Sequence, residues 1–278
     1  MRITVIPNLR AAGAAALFEP VCARLRDAGA QVVACRNEDG LPSAAGLLAA
    51  LEGSDLAIAI GGDGTIVHVA KAAAQAGCPV LGINGGHLGF LAGLERDELD
   101  RLPALLQGEY TLEERPLLQV NVCKPSGQQT YLAMNEAVVS RGAVSRLLDI
   151  HIAAEDTPVL SLRGDGVIIA TSTGSTAYSM SAGGPVVNPA VPCMLLTPVC
   201  PHCMGTRTHI LPLTDRLMVR ATAEDGHNGF LTVDGEENVS LDTGDYVSIK
   251  RAENTARLVR LNASTFYDVL TKKLSGGR

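Results

Sequence analysis

A glycine-rich loop carries the first side chain that could do chemistry. Gly61-Gly62-Asp63-Gly64-Thr65 follows the apolar run Leu56–Ile60. Glycines let a ligand approach the backbone closely, and the amides that begin a following helix bind phosphate. Asp63 would repel that phosphate unless it orients or deprotonates a hydroxyl, or holds a divalent cation that bridges phosphates. The loop therefore favours phosphoryl transfer to a hydroxyl, although a plain strand-to-helix turn remains an alternative.

The same loop excludes two common nucleotide sites. It lacks the lysine that ends a Walker A motif and the spaced glycines of a dinucleotide fingerprint. P-loop kinases and ordinary dehydrogenases are therefore disfavoured.

Residues 1–110 must position this loop, and they alternate between apolar strand-like runs and Ala- and Leu-rich helical runs. Such alternation is typical of a parallel sheet covered by helices on both faces. In an open sheet of this kind, ligands bind beyond the carboxyl ends of the strands, where the glycine-rich loop falls. The predicted strands are 2–6, 31–35, 55–60 and 79–83, and the predicted helices are 11–28, 43–52, 65–75 and 96–107.

Residues 111–263 have a different pattern, with short β-rich runs broken by turns. This pattern predicts an antiparallel, sandwich-like domain. A last helix over 264–274, with Ser264 as its cap, carries an apolar face and is expected to pack back on one of the domains. The predicted β-runs include 118–123, 131–140, 165–172, 217–223 and 246–251.

Charge and composition limit the possible functions. The formal net charge of -6 argues against broad nucleic-acid binding, which needs a basic face. No apolar run approaches the roughly 20 residues that span a bilayer, and Met1–Pro7 does not resemble a secretory signal. Seven cysteines, an odd number, fit reduced thiols better than a disulfide framework. We expect a cytoplasmic protein without membrane or nucleic-acid partners.

Further motifs narrow the chemistry. Gly61–Thr65 is shared by NAD kinases, 6-phosphofructokinases, and diacylglycerol and sphingosine kinases. Pro79–Phe90, Asn135-Glu136 and Arg163–Tyr178 follow it in the order and spacing of the NAD kinases. Leu196–His202 and Val233–Gly235 extend the match, so nearly the whole chain resembles the NAD kinase family.

This resemblance implies a two-domain enzyme with a Rossmann-like parallel-sheet domain and an antiparallel β-sandwich domain. It would transfer a phosphoryl group from ATP or polyphosphate to the 2′-hydroxyl of the adenosine ribose of NAD, giving NADP. Asp63 would be the catalytic residue. The implied cofactor is a divalent cation, Mg²⁺, bound with the phosphate donor and without a dedicated protein cage. The implied assembly is a homodimer or homotetramer.

The resemblance also implies which residues bind NAD. Asn135 and Glu136 would hold the ribose, because an amide and a carboxylate side by side can bind two hydroxyls. Arg163 and Asp165 would lie near the nicotinamide half, with Phe90 lining that side. The remaining implied NAD contacts are Asp63, Gly64, His68, Arg146, Thr173, Thr176, Ala177, Tyr178, Ser179, Met180, Ser181, Cys200 and Glu236.

Ordinary structural roles remain open for several of these positions. Asn135-Glu136 could be a solvated strand end, Arg163 and Asp165 a salt-bridged turn, and the segment from Thr173 to Tyr178 a capped helix. Arg146 could lie on the surface and Phe90 in a core. Glu236 stands where many relatives have glutamine.

Other functions are also compatible with parts of the sequence. Cys200-Pro-His-Cys203, with Cys193 and His209 nearby, resembles half of a zinc site. NAD kinases carry a similar segment ending in serine, which explains Cys200 and His202 without a metal. A lipid or sugar kinase would share the Asp63 loop, and a non-catalytic NAD-binding regulator would share the dinucleotide pocket.

Overall fold

The structure is a computed structural model that describes residues 1–86, 88–142, 147–203, 205–223, 229–262 and 264–274. The chain divides into two compact units. One contains Met1–Arg115 with Asn254–Arg278, and the other contains Pro116–Glu253.

The first unit is built on parallel strands alternating with helices. In chain order these are β1 Arg2–Pro7, α1 Ala12–Asp27, β2 Gln31–Ala34, α2 Ala44–Leu51, β3 Leu56–Gly61, α3 Asp63–Ala76, β4 Val80–Asn84 and α4 Ala104–Gln107. The strand order is β2-β1-β3-β4. Every residue of β3 and β4 is buried, as expected for central strands covered on both faces.

Helix α3 begins two residues before its predicted start. Gly62 is its N-cap without a side-chain hydrogen bond, and Asp63 occupies its first turn. A carboxylate in the first turn is stabilised by the partial positive charge of the helix N-terminus. The helix ends at Gly77, whose φ of 73° gives the left-handed conformation that glycine adopts without strain.

The predicted helix over 96–107 is wrong. The structure has a 3₁₀ turn at Leu99–Arg101 and the short α4, with Pro103 between them. Leu102 and Pro103 both keep right-handed helical dihedrals, but proline has no amide hydrogen to donate, so the ladder of helical hydrogen bonds is interrupted there. The segment therefore forms two short helical turns instead of one continuous helix.

The second unit is a sandwich of antiparallel strands. They are β5 Thr111–Lys124, β6 Gly127–Ala133, β7 Glu136–Arg141, β8 Leu148–Ala154, β9 Thr157–Gly164, β10 Gly166–Thr171, β11 Cys193–Val199, β12 His209–Pro212, β13 Leu217–Ala223, β14 Gly229–Val233, β15 Glu237–Leu241 and β16 Tyr246–Arg260. One face has the order β12-β11-β10-β7-β14-β15. Its inward side chains, such as Val139, Ile169 and Leu231, share a buried core with Ile150, Leu217 and Val247 of the opposite face.

The strand predicted over 131–140 is interrupted. β6 ends at Ala133 and β7 starts at Glu136, so Met134 and Asn135 lie between them. Their amides donate to the side chain of Asp234 instead of to a neighbouring strand. The prediction of one strand across this region is therefore wrong.

The end of the chain returns to the first unit. β16 is longer than its predicted 246–251, and Leu258 near its end pairs in parallel with Val80 of β4. The domain boundaries expected at 110 and 263 consequently differ from the division at 115 and 253. The last helix, α6 Phe266–Leu274, follows, and Asp268 accepts hydrogen bonds from the amide and hydroxyl of Thr265. Thr265, not the expected Ser264, caps it, because its hydroxyl accepts from the Asp268 amide.

An α/β unit and an antiparallel β unit thus confirm the predicted fold class. Within the described ranges, none of the helices combines the length and apolarity that a bilayer-crossing helix requires.

Candidate active site

The carboxylate of Asp63 is held by the backbone of a neighbouring loop. Its Oδ2 accepts the amide of Phe90 at 2.9 Å, and its Oδ1 accepts the amide of Leu91 at 3.1 Å. A Cβ added to Gly89 would lie 2.2 Å from Asp63 Oδ1. The loop therefore needs glycine at this position for the carboxylate to reach both amides. With one hydrogen bond on each oxygen, Asp63 still has lone pairs for a further partner.

The glycines around Asp63 have two different roles. A Cβ on Gly61 would lie 2.4 Å from the Thr65 hydroxyl, so this glycine permits close packing. The same hydroxyl accepts a hydrogen bond from Asn8 at 3.2 Å. Gly62 and Gly64 are exposed, and a Cβ on either would meet nothing within 4 Å. The exposed side of the loop is therefore open to a ligand.

A cation lies beside the same carboxylate. Lys273 of α6 places its Nζ 3.8 Å from Asp63 Oδ2 and 4.5 Å from the centroid of the Phe90 ring. About a third of each charged side chain is exposed, so water screens this pair. Phe90 also packs near Phe266, with ring centroids 6.1 Å apart.

In the second unit, one aspartate fixes the backbone of the predicted ribose-binding pair. Asp234 accepts the amides of Met134 at 2.8 Å, Asn135 at 2.8 Å and Glu136 at 3.0 Å. Asp234 has a φ of 48° in the turn after β14, a left-handed conformation that aspartate tolerates better than most residues. The three bonds orient the backbone from which the Asn135 and Glu136 side chains project.

Glu136 is a buried acid with an unpartnered oxygen. The residue is 7% exposed, and its Oε2 has no hydrogen-bond partner. Burial and the nearby charge of Asp234 raise its pKa to about 7, against the opposing effect of a hydrogen bond from the Tyr178 amide. A buried acceptor without a partner is unfavourable, and a ligand hydroxyl would satisfy it.

The segment after β10 packs directly against Asn135. Thr171 donates its hydroxyl to the Met134 carbonyl at 2.7 Å, and its amide donates to the Asn135 carbonyl at 2.8 Å. A Cβ on Gly174 would lie 2.2 Å from that Asn135 carbonyl oxygen. The hydroxyl of Thr173 is buried without a partner, as is the free oxygen of Glu136. Two unsatisfied polar groups thus occur in adjoining segments of this unit.

The other predicted residues of this segment differ in their surroundings. Thr173–Thr176 forms a 3₁₀ turn, and Tyr178–Ser181 forms the short helix α5. Ser179 is buried and its hydroxyl bonds with that of Thr197 at 2.8 Å, so it has a structural partner. Tyr178 and Ser181 are exposed, while Thr176, Ala177 and Met180 are half-buried.

Comparison with known proteins identifies the family. The model described as the ATP-NAD kinase N-terminal domain matches residues 41–110, and that described as the ATP-NAD kinase C-terminal domain matches residues 134–261. An NAD kinase of Symbiobacterium thermophilum is 45% identical over 280 residues, which cover 98% of this chain and 92% of the relative. The chain belongs to the NAD kinase family. The NAD kinase of Moorella thermoacetica is 43% identical over 79% of this chain and 71% of its own.

Solved structures agree with this NAD kinase assignment. An NAD kinase from Archaeoglobus fulgidus, solved in complex with ATP, has a TM-score of 0.77 and 27% identity over 99% of both chains. A yeast NADH kinase solved with NADH has a TM-score of 0.82 and 21% identity, over 99% of this chain and 88% of that one. At this lower identity, the yeast enzyme shows the fold alone.

Arg163 and Asp165 have backbone and side-chain contacts beyond their own turn. Asp165 accepts a hydrogen bond from Arg141 Nε at 2.6 Å. The Arg163 carbonyl accepts the His202 amide at 2.7 Å, which places the segment after Cys200 beside β9. In this NAD kinase family member, these predicted nicotinamide-side residues therefore lie within one part of the second unit.

Three further predicted positions have other surroundings. His68 bonds through its Nε2 to the Pro42 carbonyl at 2.9 Å, within the first unit. Glu236 is exposed in the turn after β14, and its amide donates to the Val233 carbonyl at 2.9 Å. Arg146 lies outside the described residues.

The alternative zinc site gains no support from the part of the chain that the structure describes. No group of three His, Cys, Asp or Glu side chains gathers there in a metal-binding arrangement. Cys200 and Cys203 are exposed.

Some residues that shape the site were missed by sequence reasoning. In the sequence, Asp234 stands out only as part of the motif Val233–Gly235, and no local pattern marks Lys273 or Arg260. The partners of Asp234 lie 98 to 100 residues earlier in the chain, so no local pattern reveals them. The sequence offers one signal for Asp234: it is followed by Gly235 directly after an apolar strand, and Asp-Gly is a common turn sequence.

Proposed function

We propose that this protein is an NAD kinase that transfers a phosphoryl group from ATP to the 2′-hydroxyl of the adenosine ribose of NAD, giving NADP. Membership in the NAD kinase family supports the activity, and the complex of the archaeal relative with ATP supports ATP as the phosphoryl donor. The observation that carries the proposal is Glu136, a buried carboxyl group with an unsatisfied oxygen, which follows Asn135 directly in the chain. This pair offers the two kinds of group that bind a ribose diol.

The dinucleotide is proposed to bind along the second unit. The adenosine ribose would bond to Asn135 and Glu136, and the unsatisfied Thr173 hydroxyl would provide another polar contact. Thr176, Ala177, Tyr178 and Met180 would lie around the adenine, with Ser181 at the edge. Arg163, Asp165 and the segment at Cys200 would lie toward the nicotinamide half, and Arg146, Phe90, His68 and Glu236 remain further candidate contacts.

Asp63 is proposed to orient and deprotonate the ribose hydroxyl. A bond then forms between the 2′-oxygen and the γ-phosphorus, the bond from that phosphorus to the β,γ-bridging oxygen breaks, and ADP leaves. The hydroxyl proton passes to the Asp63 carboxylate. The two loop amides fix the carboxylate, and alignment of hydroxyl and phosphoryl group supplies much of the rate in such reactions.

The donor phosphates are proposed to bind at the open side of Gly61–Thr65, where helix amides are available. A divalent cation, which we propose to be Mg²⁺, would be bound mainly by phosphate oxygens and would neutralise their charge. Asp63 is the acidic side chain of this loop that could add a ligand.

Location and assembly are also proposals. The odd number of cysteines, seven, fits reduced thiols and supports a cytoplasmic protein. The family resemblance supports a homodimer or homotetramer, and light scattering coupled to gel filtration would give the assembly size.

The activity is tested by incubating the purified protein with NAD, ATP and Mg²⁺ and measuring NADP by an enzymatic cycling assay. We expect NADP formation that requires all three components. Parallel reactions with polyphosphate as donor, and with NADH, a diacylglycerol or a sugar phosphate as acceptor, define the specificity. Binding of NAD without NADP formation would indicate a regulator, and phosphorylation of the lipid or sugar alone would indicate a different kinase.

A further inference from the structure

The loop that holds Asp63 is itself held from its other side by one arginine. Arg260, at the end of β16, donates from Nη2 to the carbonyl of Phe90 at 3.2 Å and from Nη1 to that of Leu91 at 3.3 Å. Nη1 also donates to the carbonyl of Ala92. The amides of Phe90 and Leu91 are the donors to the Asp63 carboxylate. One peptide unit, Phe90–Leu91, therefore lies between the guanidinium and the carboxylate, with its carbonyl bound by Arg260 and its amide bound to Asp63.

The guanidinium is itself fixed in place. The Arg260 side chain is 10% exposed, and its Nη2 lies 3.1 Å from Glu113 Oε2. Glu113 also pairs with Arg115, which is 5% exposed. Burial opposes ionisation of Glu113, but the charges of Arg260 and Arg115 outweigh it and lower the pKa of this carboxyl. The charged network therefore persists at neutral pH and restrains the orientation of Arg260.

We propose that Arg260 is a positioning residue for Asp63, acting through the backbone of Phe90, Leu91 and Ala92. The proposal rests on the proposed NAD kinase function. The bond from Arg260 to the Phe90 carbonyl fixes the peptide plane whose amide, that of Leu91, donates to Asp63. The bonds to the Leu91 and Ala92 carbonyls restrain the residues that follow in the loop. The amides of Phe90 and Leu91 hold the carboxylate, and a misplacement of about 1 Å at a reacting group can cost 100-fold in rate. Lysine could not replace this geometry, because a single ammonium does not present a planar fork.

The first test compares Arg260→Met with Arg257→Met. Arg257 is a matched control, because it lies on the same strand and donates to the carbonyl of Gly77, away from Asp63. We expect Arg260→Met to lower kcat by about 10- to 100-fold with the KM for NAD changed less than about threefold. Arg257→Met should leave both constants near wild type. Equal kcat values for Arg260→Met and wild type would overturn the proposal.

A double-mutant cycle separates positioning from general stabilisation. If Arg260 acts through Asp63, Arg260→Met should lower kcat little, by less than about threefold, in an Asp63→Asn background. The same large loss in both backgrounds would show that Arg260 does not act through this carboxylate.

If Arg260→Met does not fold, two more conservative variants can test the same role. Arg260→Lys keeps the charge but loses the fork, and Glu113→Gln weakens the restraint while leaving Arg260 present. Both variants should lower kcat, with a smaller change in the KM for NAD, because the loop that holds Asp63 becomes less ordered. Wild-type kcat in both variants would contradict the proposal.

Hydrogen exchange gives a readout that does not depend on activity. The amides of Phe90 and Leu91 should exchange faster in Arg260→Met than in wild type, while the amides of β3 should not. Unchanged exchange at both amides would overturn the positioning role even if kcat fell. If the wild-type protein makes no NADP, both the proposed function and this inference fail. If wild type is active and Arg260→Met is equally active, only the inference fails.

Discussion

At the residue scale, the decisive feature is that Asp63 has firm partners and yet keeps acceptor capacity. Two backbone amides hold its oxygens, and a third of the side chain remains exposed. A carboxylate in this state is fixed in direction but can still accept a proton from a hydroxyl. Because both oxygens accept hydrogen bonds from backbone amides, replacing the carboxylate by a neutral amide would disturb this arrangement.

Asp63→Asn should lose turnover while keeping the substrate. The amide cannot act as a base, and its NH₂ group would face one of the two loop amides. We expect kcat to fall by about 100-fold or more, the usual range for loss of a general base, with the Kd for NAD within about threefold. Steady-state kinetics and calorimetric titration with NAD measure the two quantities.

Asp100→Asn serves as its control, because Asp100 is an acidic side chain of the same unit, 89% exposed, that pairs with Arg24 at the surface. Full activity of Asp63→Asn would remove Asp63 from the mechanism.

Glu136 predicts a pH-dependent stability. Its pKa is raised from 4.5 to about 7, so the folded protein binds this proton more tightly than the unfolded chain. The carboxyl therefore favours folding fully below pH 4.5, and this contribution is lost as the pH rises through 7. The change corresponds to roughly 3 kcal/mol.

Glu136→Gln removes this titration. Relative to wild type, its free energy of unfolding should be larger at pH 8 than at pH 5 by about 2–3 kcal/mol, because only wild type loses stability over this range. Urea unfolding at both pH values measures the difference. Glu237→Gln, at an exposed position of β15, is the control substitution and is measured at the same two pH values. A pH-independent effect of Glu136→Gln would contradict the buried, proton-binding state.

At the scale of elements, the sequence predicted well what depends on local pattern. The strands of the first unit lie within about one residue of their predicted bounds, since continuous apolar runs identify buried parallel strands. Where partners are distant in the chain, prediction failed. The strand over 131–140 is broken because Asp234 removes amides from the ladder, and Lys273 reaches Asp63 from the last helix.

For the proposed site, too, local sequence pattern was informative and contacts between distant residues were not predictable. Residue types and spacing select Asp63 as a candidate, whereas Asn135 and Glu136 become candidates only through the resemblance to the NAD kinase family. The sequence could not show that Ser179 bonds to Thr197 inside the second unit, or that His68 bonds to the Pro42 carbonyl. Such contacts depend on tertiary packing, which a single sequence does not contain.

Gly174→Ala tests the junction between β10 and the Asn135-Glu136 pair. The new methyl group would approach the Asn135 carbonyl oxygen to 2.2 Å, so the backbone of one segment must shift. Overpacking of this kind costs about 1–3 kcal/mol, and the displaced pair should raise the KM for NAD several-fold. Chemical unfolding and steady-state kinetics provide the measurements.

Gly229→Ala is the matched substitution in the same unit, where the nearest atom would lie at 3.5 Å. It should leave both quantities close to wild type. If Gly174→Ala does the same, the tight packing against Asn135 is not required.

At the scale of the whole molecule, the first unit is assembled from both ends of the chain. Leu258 pairs with Val80 of β4, and Val259 belongs to the core that contains Ile58 and Leu81. The carbonyl of Gly93 also accepts the amide of Leu261 at 3.2 Å. Stability of this unit therefore depends on residues that are remote in sequence.

Leu258→Ala should destabilise the first unit strongly. The residue is 1% exposed, and a buried Leu→Ala change costs about 2–5 kcal/mol. Leu112→Ala, at a residue that is 44% exposed, is the control and should cost far less. Urea unfolding followed by circular dichroism compares them, and equal losses would show that β16 contributes little to the core of the first unit.

This arrangement has a consequence for biosynthesis. Met1–Arg115 is translated before the β-sandwich, yet the strand that borders β4 and the arginine that holds the Asp63 loop are translated after it. The unit begun first must therefore finish maturing after the β-sandwich has been synthesised. A premature stop codon between residues 66 and 258 would yield a polypeptide that carries the whole glycine-rich motif but cannot complete the sheet of that unit.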